Sequence, residues 1–130
     1  MLDKVEYWLG LCDEDLEVAK LLFAGEKYLQ MGFFCHLMIE KAIKAVIAQN
    51  TNEIPPKIHD LIKLANKAEI YNELSEEQCV LLGRLIPLQI EARYPEYKER
   101  IASRLNNETC ERLLKETGDL LCWIKQKLGK

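Results

Sequence analysis

The chain has 130 residues, of which 48% are apolar and 30% charged, and a net charge of -3. That length suits one domain, 1–130, and such a composition can bury a core, which excludes an intrinsically disordered chain. The balance of charge excludes general electrostatic attraction to nucleic acid, so any anion site has to be a local cluster, and DNA is not an expected partner. No apolar run approaches the ~20 residues that cross a bilayer, and Met1-Leu2-Asp3-Lys4 lacks the basic-then-apolar pattern of a secretory leader. The cysteines, Cys12, Cys35, Cys79, Cys110 and Cys122, are odd in number and form no C-x-x-C pair. Free, mostly buried thiols in a cytoplasmic protein are expected, with no cysteine-held metal.

Residues 3 to 24 carry Val5, Trp8, Leu9, Cys12, Leu16, Ala19 and Phe23 at helical spacing. Tyr7, Leu11, Val18 and Leu22 make a second, narrower apolar stripe about a third of a turn away. A helix with two such stripes is either sandwiched in a bundle or makes an oligomer contact. Gly25 and Gly32 bracket a short hinge and the start of a second helix, which runs from about Lys27 or Gly32 to Gln49. Phe34, Cys35, Met38, Ile39, Ala42, Ile43, Ala45 and Val46 make it apolar nearly all round, the mark of the most buried helix of a fold. Its polar strip is His36, Glu40 and Lys44, stacked four residues apart, with Lys41 beside them.

Asn50 to Pro56 reads as a loop, closed by two prolines that cannot continue a helix. A short helix is predicted from His59 to about Ala68. Ser75-Glu76-Glu77-Gln78 reads as a capping box that opens a further helix, and Pro87 is expected to kink or end it. Tyr94 is extended or in a turn because Pro95 follows it. A short helix over about Glu96 to Leu105 comes next. Asn106-Asn107 offers caps for a last helix, Glu108 to Leu128, whose inner face is Cys110, Leu113, Leu114, Leu120, Leu121, Ile124 and Leu128. No segment alternates like a strand. The predicted architecture is all-α, an up-and-down bundle of four to six helices.

Three constellations bear chemistry. The strip His36, Glu40, Lys44 is either a polar seam inside the bundle that binds an anion or aligns a dimer, or an i,i+4 ion pair on an exposed edge. One His and one Glu there are too few to hold a metal, and His59 would have to come close to help. His59-Asp60 is either a general base or phosphate contact, or the capping region of a helix whose dipole favours Asp60. Arg93-Tyr94-Pro95-Glu96-Tyr97, with Lys98, Arg100 and Arg104, is the chain's basic-aromatic cluster. Tyrosine faces stack on bases and arginine forks match phosphate oxygens, so this segment is the candidate nucleotide or RNA surface. The competing reading packs the tyrosines on the bundle and leaves the arginines solvated or paired with Glu91, Glu96 and Glu99. No glycine-rich phosphate loop is present.

The run Phe34-Cys35-His36-Leu37-Met38-Ile39-Glu40-Lys41-Ala42-Ile43-Lys44-Ala45, then Lys57-Ile58-His59-Asp60-Leu61 after the Pro-Pro break, then Ala92-Arg93-Tyr94-Pro95, resembles the HEPN family of prokaryotic helical domains over essentially the whole chain. The resemblance implies an up-and-down bundle, commonly a homodimer. It also implies a partner, a minimal nucleotidyltransferase in a toxin–antitoxin-like or defence pair, and a nucleotide as ligand. Many members are metal-independent ribonucleases whose signature is an Arg followed after four to six residues by a His. Here both histidines precede the first arginine, Arg84, so no His follows any arginine and the expected general acid/base is missing.

The expectation is therefore a homodimeric, non-catalytic domain that binds a nucleotide or partners a nucleotidyltransferase, without cofactor or metal. Arg93 would clamp phosphate, Tyr94 or Tyr97 would stack, and Lys41 or Lys44 would add charge. Arg100 and His59 complete the candidate ligand-binding set. The alternatives are an RNA endonuclease with a rearranged site built on Arg93 and His59, and a plain interaction module that works through the apolar stripe of the first helix.

Overall fold

The computed structural model describes residues 3–51, 53–91 and 103–130. Among the described residues there are five α-helices, one 3-10 turn and no strand. The helices are α1 (Lys4–Ala24), α2 (Tyr28–Asn50), α3 (Leu61–Lys67), α4 (Glu76–Glu91) and α5 (Asn107–Lys127), and the 3-10 turn is Tyr71–Glu73. The candidates Arg93, Tyr94, Tyr97 and Arg100, and most of the helix expected over 96–105, lie outside the described residues. No helix is long and apolar enough to cross a membrane, among the described residues.

Helix α2 is the hub, packing against α1, α3, α4 and α5. Its sequence explains this: Met31, Cys35, Met38, Ile39, Ala42, Ile43, Ala45, Val46 and Ile47 are all buried, so every side of the helix demands cover. Helix α1 supplies Val5, Leu9, Cys12 and Ala19, its expected inner face. Its second stripe divides. Leu22 packs on the core, whereas Tyr7 stays exposed.

Helix starts follow local chemistry. The Asp3 carboxylate accepts the Val5 N–H, and Asp60 accepts from Ile62 and Lys63, which fixes the start of the seven-residue α3. Ser75 and Gln78 form the expected reciprocal box, and Asn106 forms another with Thr109. On α5 the inner face is as expected, except that Leu114 is only partly buried and Thr117 joins it, donating its hydroxyl to the Leu113 carbonyl at 2.7 Å.

Of the two starts expected for α2, the earlier holds: Lys27 is its N-cap, and Gly32 lies inside the helix, where a Cβ would come 2.9 Å from Leu88 Cδ1, so its bare backbone lets α4 approach. Of the two outcomes expected at Pro87, the helix does not end there but continues to Glu91. A proline inside a helix costs about 3 kcal/mol, but burial of a leucine returns roughly 1.5–3 kcal/mol, and Leu88, next in sequence, is buried against Gly32.

Candidate functional site

A charged cluster lies inside the bundle, on the face of α2 that meets α1 and the segment leading into α3. Because His36, Glu40 and Lys44 are one turn apart, they form a row, and the rest of α2 is too apolar to leave that row outside. His36 is 0% exposed, Glu40 5% and Lys44 7%. This corrects the exposed-edge reading of the strip: the Glu40–Lys44 ion pair exists, with Nζ 3.1 Å from Oε2, but it is buried. The Lys44 ammonium also sits 5.9 Å above the ring centre of Trp8 from α1.

Glu40 gathers the rest. His59, nineteen residues away, arrives with its Nδ1 3.0 Å from Glu40 Oε1. Its side chain is 55% exposed. A carboxylate can only accept, so the His59 proton sits on Nδ1 and donates to Glu40. The ring's Nε2 then carries a lone pair and has no partner among the described residues.

His36 has the opposite tautomer. Its Nε2 is 3.0 Å from the His59 carbonyl oxygen, which is an acceptor, so Nε2 carries the proton. The lone pair on Nδ1 is thus buried without a partner and faces Glu40 Oε1 at 3.7 Å. Two acceptors facing each other in a dry site repel. A proton on Nδ1 would make that contact an ion pair, yet burial outweighs the Glu40 charge and pushes the imidazole below the usual histidine range. His36 is therefore neutral near pH 7, and the 3.7 Å approach is not a salt bridge.

The other candidates resolve by their partners. The Lys41 ammonium is 2.8 Å from Asp15 Oδ2, a carboxylate buried on α1. Lys41 and Lys44 are thus both committed to internal carboxylates and do not offer free charge to a ligand. The cluster brings together Lys44 and His59 of the expected ligand set, while Lys41 belongs to a separate pair. Glu40 as the orienting carboxylate, Asp15 and Trp8 were absent from that set. A signal for Glu40 existed: a polar row on a helix otherwise apolar all round has to be buried, and a buried Glu and Lys have to pair. Nothing local marked Asp15, whose partner is 26 residues away.

The cysteines offer no reactive thiol in the core. Burial pushes Cys12 and Cys35 up to about 12, and Cys12 donates to the Met38 carbonyl. Among the described residues no three His, Cys, Asp or Glu side chains are grouped to hold a metal ion. An open groove of about 690 Å³ between α4 and α5 is lined by Val80, Leu81, Arg84, Glu116 and Leu120 among others. Arg84 is paired there with Glu116 at 2.9 Å. Of the described candidate ligand residues, Lys41, Lys44 and His59, none lines this groove.

No curated protein and no solved structure matches the chain. The family model described as HEPN domain matches residues 5–127, which takes in every described helix but the first residue of α1, and the chain belongs to the HEPN family.

Proposed function

We propose that this chain is a non-catalytic HEPN domain that recognises a nucleotide and works as a homodimer beside a minimal nucleotidyltransferase, in a toxin–antitoxin or defence-type pair. The observation that carries the reading is the state of His59. Its ring is half exposed, held by a buried carboxylate, and keeps one nitrogen for a ligand, whereas Lys41 and Lys44 are neutralised internally. In this reading the described part of the site supplies hydrogen bonding rather than charge, and phosphate recognition falls to Arg93, with stacking by Tyr94 or Tyr97 and support from Arg100. The order of residues argues against the family's ribonuclease chemistry, since His36 and His59 both precede Arg84.

The test is a thermal-shift panel of nucleoside mono-, di- and triphosphates on wild type and Arg93→Ala. A ligand bound only to the folded state raises Tm by mass action, so wild type shifts and the variant does not. No shift for wild type up to millimolar nucleotide would sink the nucleotide reading. A parallel incubation with single-stranded RNA is expected to leave it intact; cleavage lost in both Arg93→Ala and His59→Ala would establish the rearranged endonuclease instead.

One observation favours a pure interaction role as the second reading. Along α1, Tyr7 is exposed and Leu21 is 73% exposed, with Leu11 and Val18 half-buried between them. Light scattering on Leu21→Glu tests this: a dimer that becomes a monomer without losing helicity would assign that stripe to self-association.

A further inference from the structure

We infer that His59 Nε2, made a fixed hydrogen-bond acceptor by the buried Glu40 carboxylate, receives a sugar hydroxyl of the bound nucleotide and so selects ribonucleotides over deoxyribonucleotides. This deepens the nucleotide-binding reading and rests on it. The argument is one of donor and acceptor bookkeeping. Glu40 is 5% exposed and is held from its other oxygen by Lys44, so it cannot turn away from the ring. Through Oε1 it accepts the Nδ1 proton of His59, which in the unprotonated ring leaves the lone pair on Nε2. A group with only a lone pair pairs with a donor.

Phosphate oxygens at neutral pH are acceptors, so a lone pair on Nε2 does not match them. Ribose hydroxyls are donors, and the 2′-hydroxyl is the group that distinguishes RNA from DNA building blocks. The ring satisfies the buried Glu40 Oε1, and the same bond sets which nitrogen of the ring is left for a ligand. The connection into α3 is already tied to α2 by the bond from His36 Nε2 to the His59 carbonyl, which needs no side chain at position 59. The second bond, from the His59 ring to Glu40, fixes an imidazole that remains half in solvent. Fixing the tautomer of an exposed ring matters for what the ring's other nitrogen meets.

The arrangement makes a prediction for the free protein. Histidine nitrogen NMR, read where each ring carries a single proton, should find the two in opposite tautomers, His59 with the proton on Nδ1 and His36 with it on Nε2. Glu40→Gln should blur the His59 preference. A His59 ring protonated on Nε2 in wild type would overturn the inference without any ligand being added.

The binding experiment compares ATP, 2′-deoxyATP and 3′-deoxyATP by calorimetry on wild type and His59→Ala. Wild type is expected to prefer ATP over 2′-deoxyATP by roughly 2- to 10-fold, the range of one neutral hydrogen bond, and a preference over 3′-deoxyATP alone would overturn the selection of ribonucleotides. His59→Ala should bind all three with that preference gone, while its backbone carbonyl still accepts from His36. Equal binding of ATP and both deoxy forms by wild type, or a preference that survives His59→Ala, would overturn the hydroxyl assignment and leave nucleotide binding standing. If none of the three binds, the nucleotide reading and this inference fall together.

Discussion

Removing the Glu40 charge while keeping Lys44 is the sharpest probe of the buried cluster. Glu40→Leu preserves approximate size but leaves an ammonium that is 7% exposed with no anion, its remaining neighbour being the Trp8 face at 5.9 Å. Breaking a buried pair in this way costs about 3–5 kcal/mol, whereas replacing both partners with apolar groups is often neutral or stabilising. An unfolding entropy of roughly 2 cal/mol/K per residue, taken over this chain, converts the single loss to a Tm drop of about 11–18 °C. The bond lost from His59 adds little, because that ring is half exposed and water replaces the carboxylate. Lys44→Met alone should also destabilise, but by less, because Glu40 keeps the His59 N–H at 3.0 Å. The double variant Glu40→Leu/Lys44→Met should return to within about 1 kcal/mol of wild type. Urea titration of all four proteins at about pH 8, where His36 is neutral, gives the cycle directly. A single-variant loss under about 1 kcal/mol, or a double variant as poor as the sum of the singles, would refute the picture of a dry, mutually dependent pair.

Three further outcomes are expected. Stability should fall as pH drops below 6.5: burial holds the folded His36 below its unfolded value, so the unfolded chain takes the proton first and the stabilisation present above 6.5 is lost as pH falls towards the folded value. His36→Gln should flatten that part of the pH–stability profile, although Glu40, His59 and Asp60 still surround the position. Gly10→Ala and Gly118→Ala should each stabilise by roughly 0.5–1 kcal/mol in thermal melts, since both lie inside helices and an added Cβ meets nothing within 4 Å. Asp60→Ala should cost about 1 kcal/mol in urea titration, because it removes the acceptor for two N–H groups of α3.

The helices were readable because burial and period coincide in them. The inner face of α1, the all-round apolarity of α2 and the Ser75 box each depend on neighbours within a few residues. The cluster was half readable. The row His36, Glu40, Lys44 is a matter of spacing, but its burial depends on Trp8 and on the segment ending at His59, which are remote in sequence. Local patterns carry no record of such contacts, so the exposed-edge reading looked reasonable and Asp15 passed unnoticed. Pro87 shows the same limit from the other side: the local penalty is real, and the packing of Leu88 on Gly32 offsets much of it. The Arg93-Tyr94-Pro95 segment stands outside the described residues, so its part in the site rests on the sequence alone.

The connection between α2 and α3 is fastened at both ends. Thr51 ties its start to the Ile47 carbonyl, through both backbone and hydroxyl, and His59 ties its finish to His36 and Glu40. Between these points Ile54 stands 85% exposed. Extra length placed there adds only slowly to the entropy of closing the loop and disturbs neither fastening. A reporter peptide inserted between Glu53 and Ile54 would therefore sit on a short tether close to the candidate site, whereas a single-residue deletion between Ile58 and Leu61 would pull the imidazole off its carboxylate.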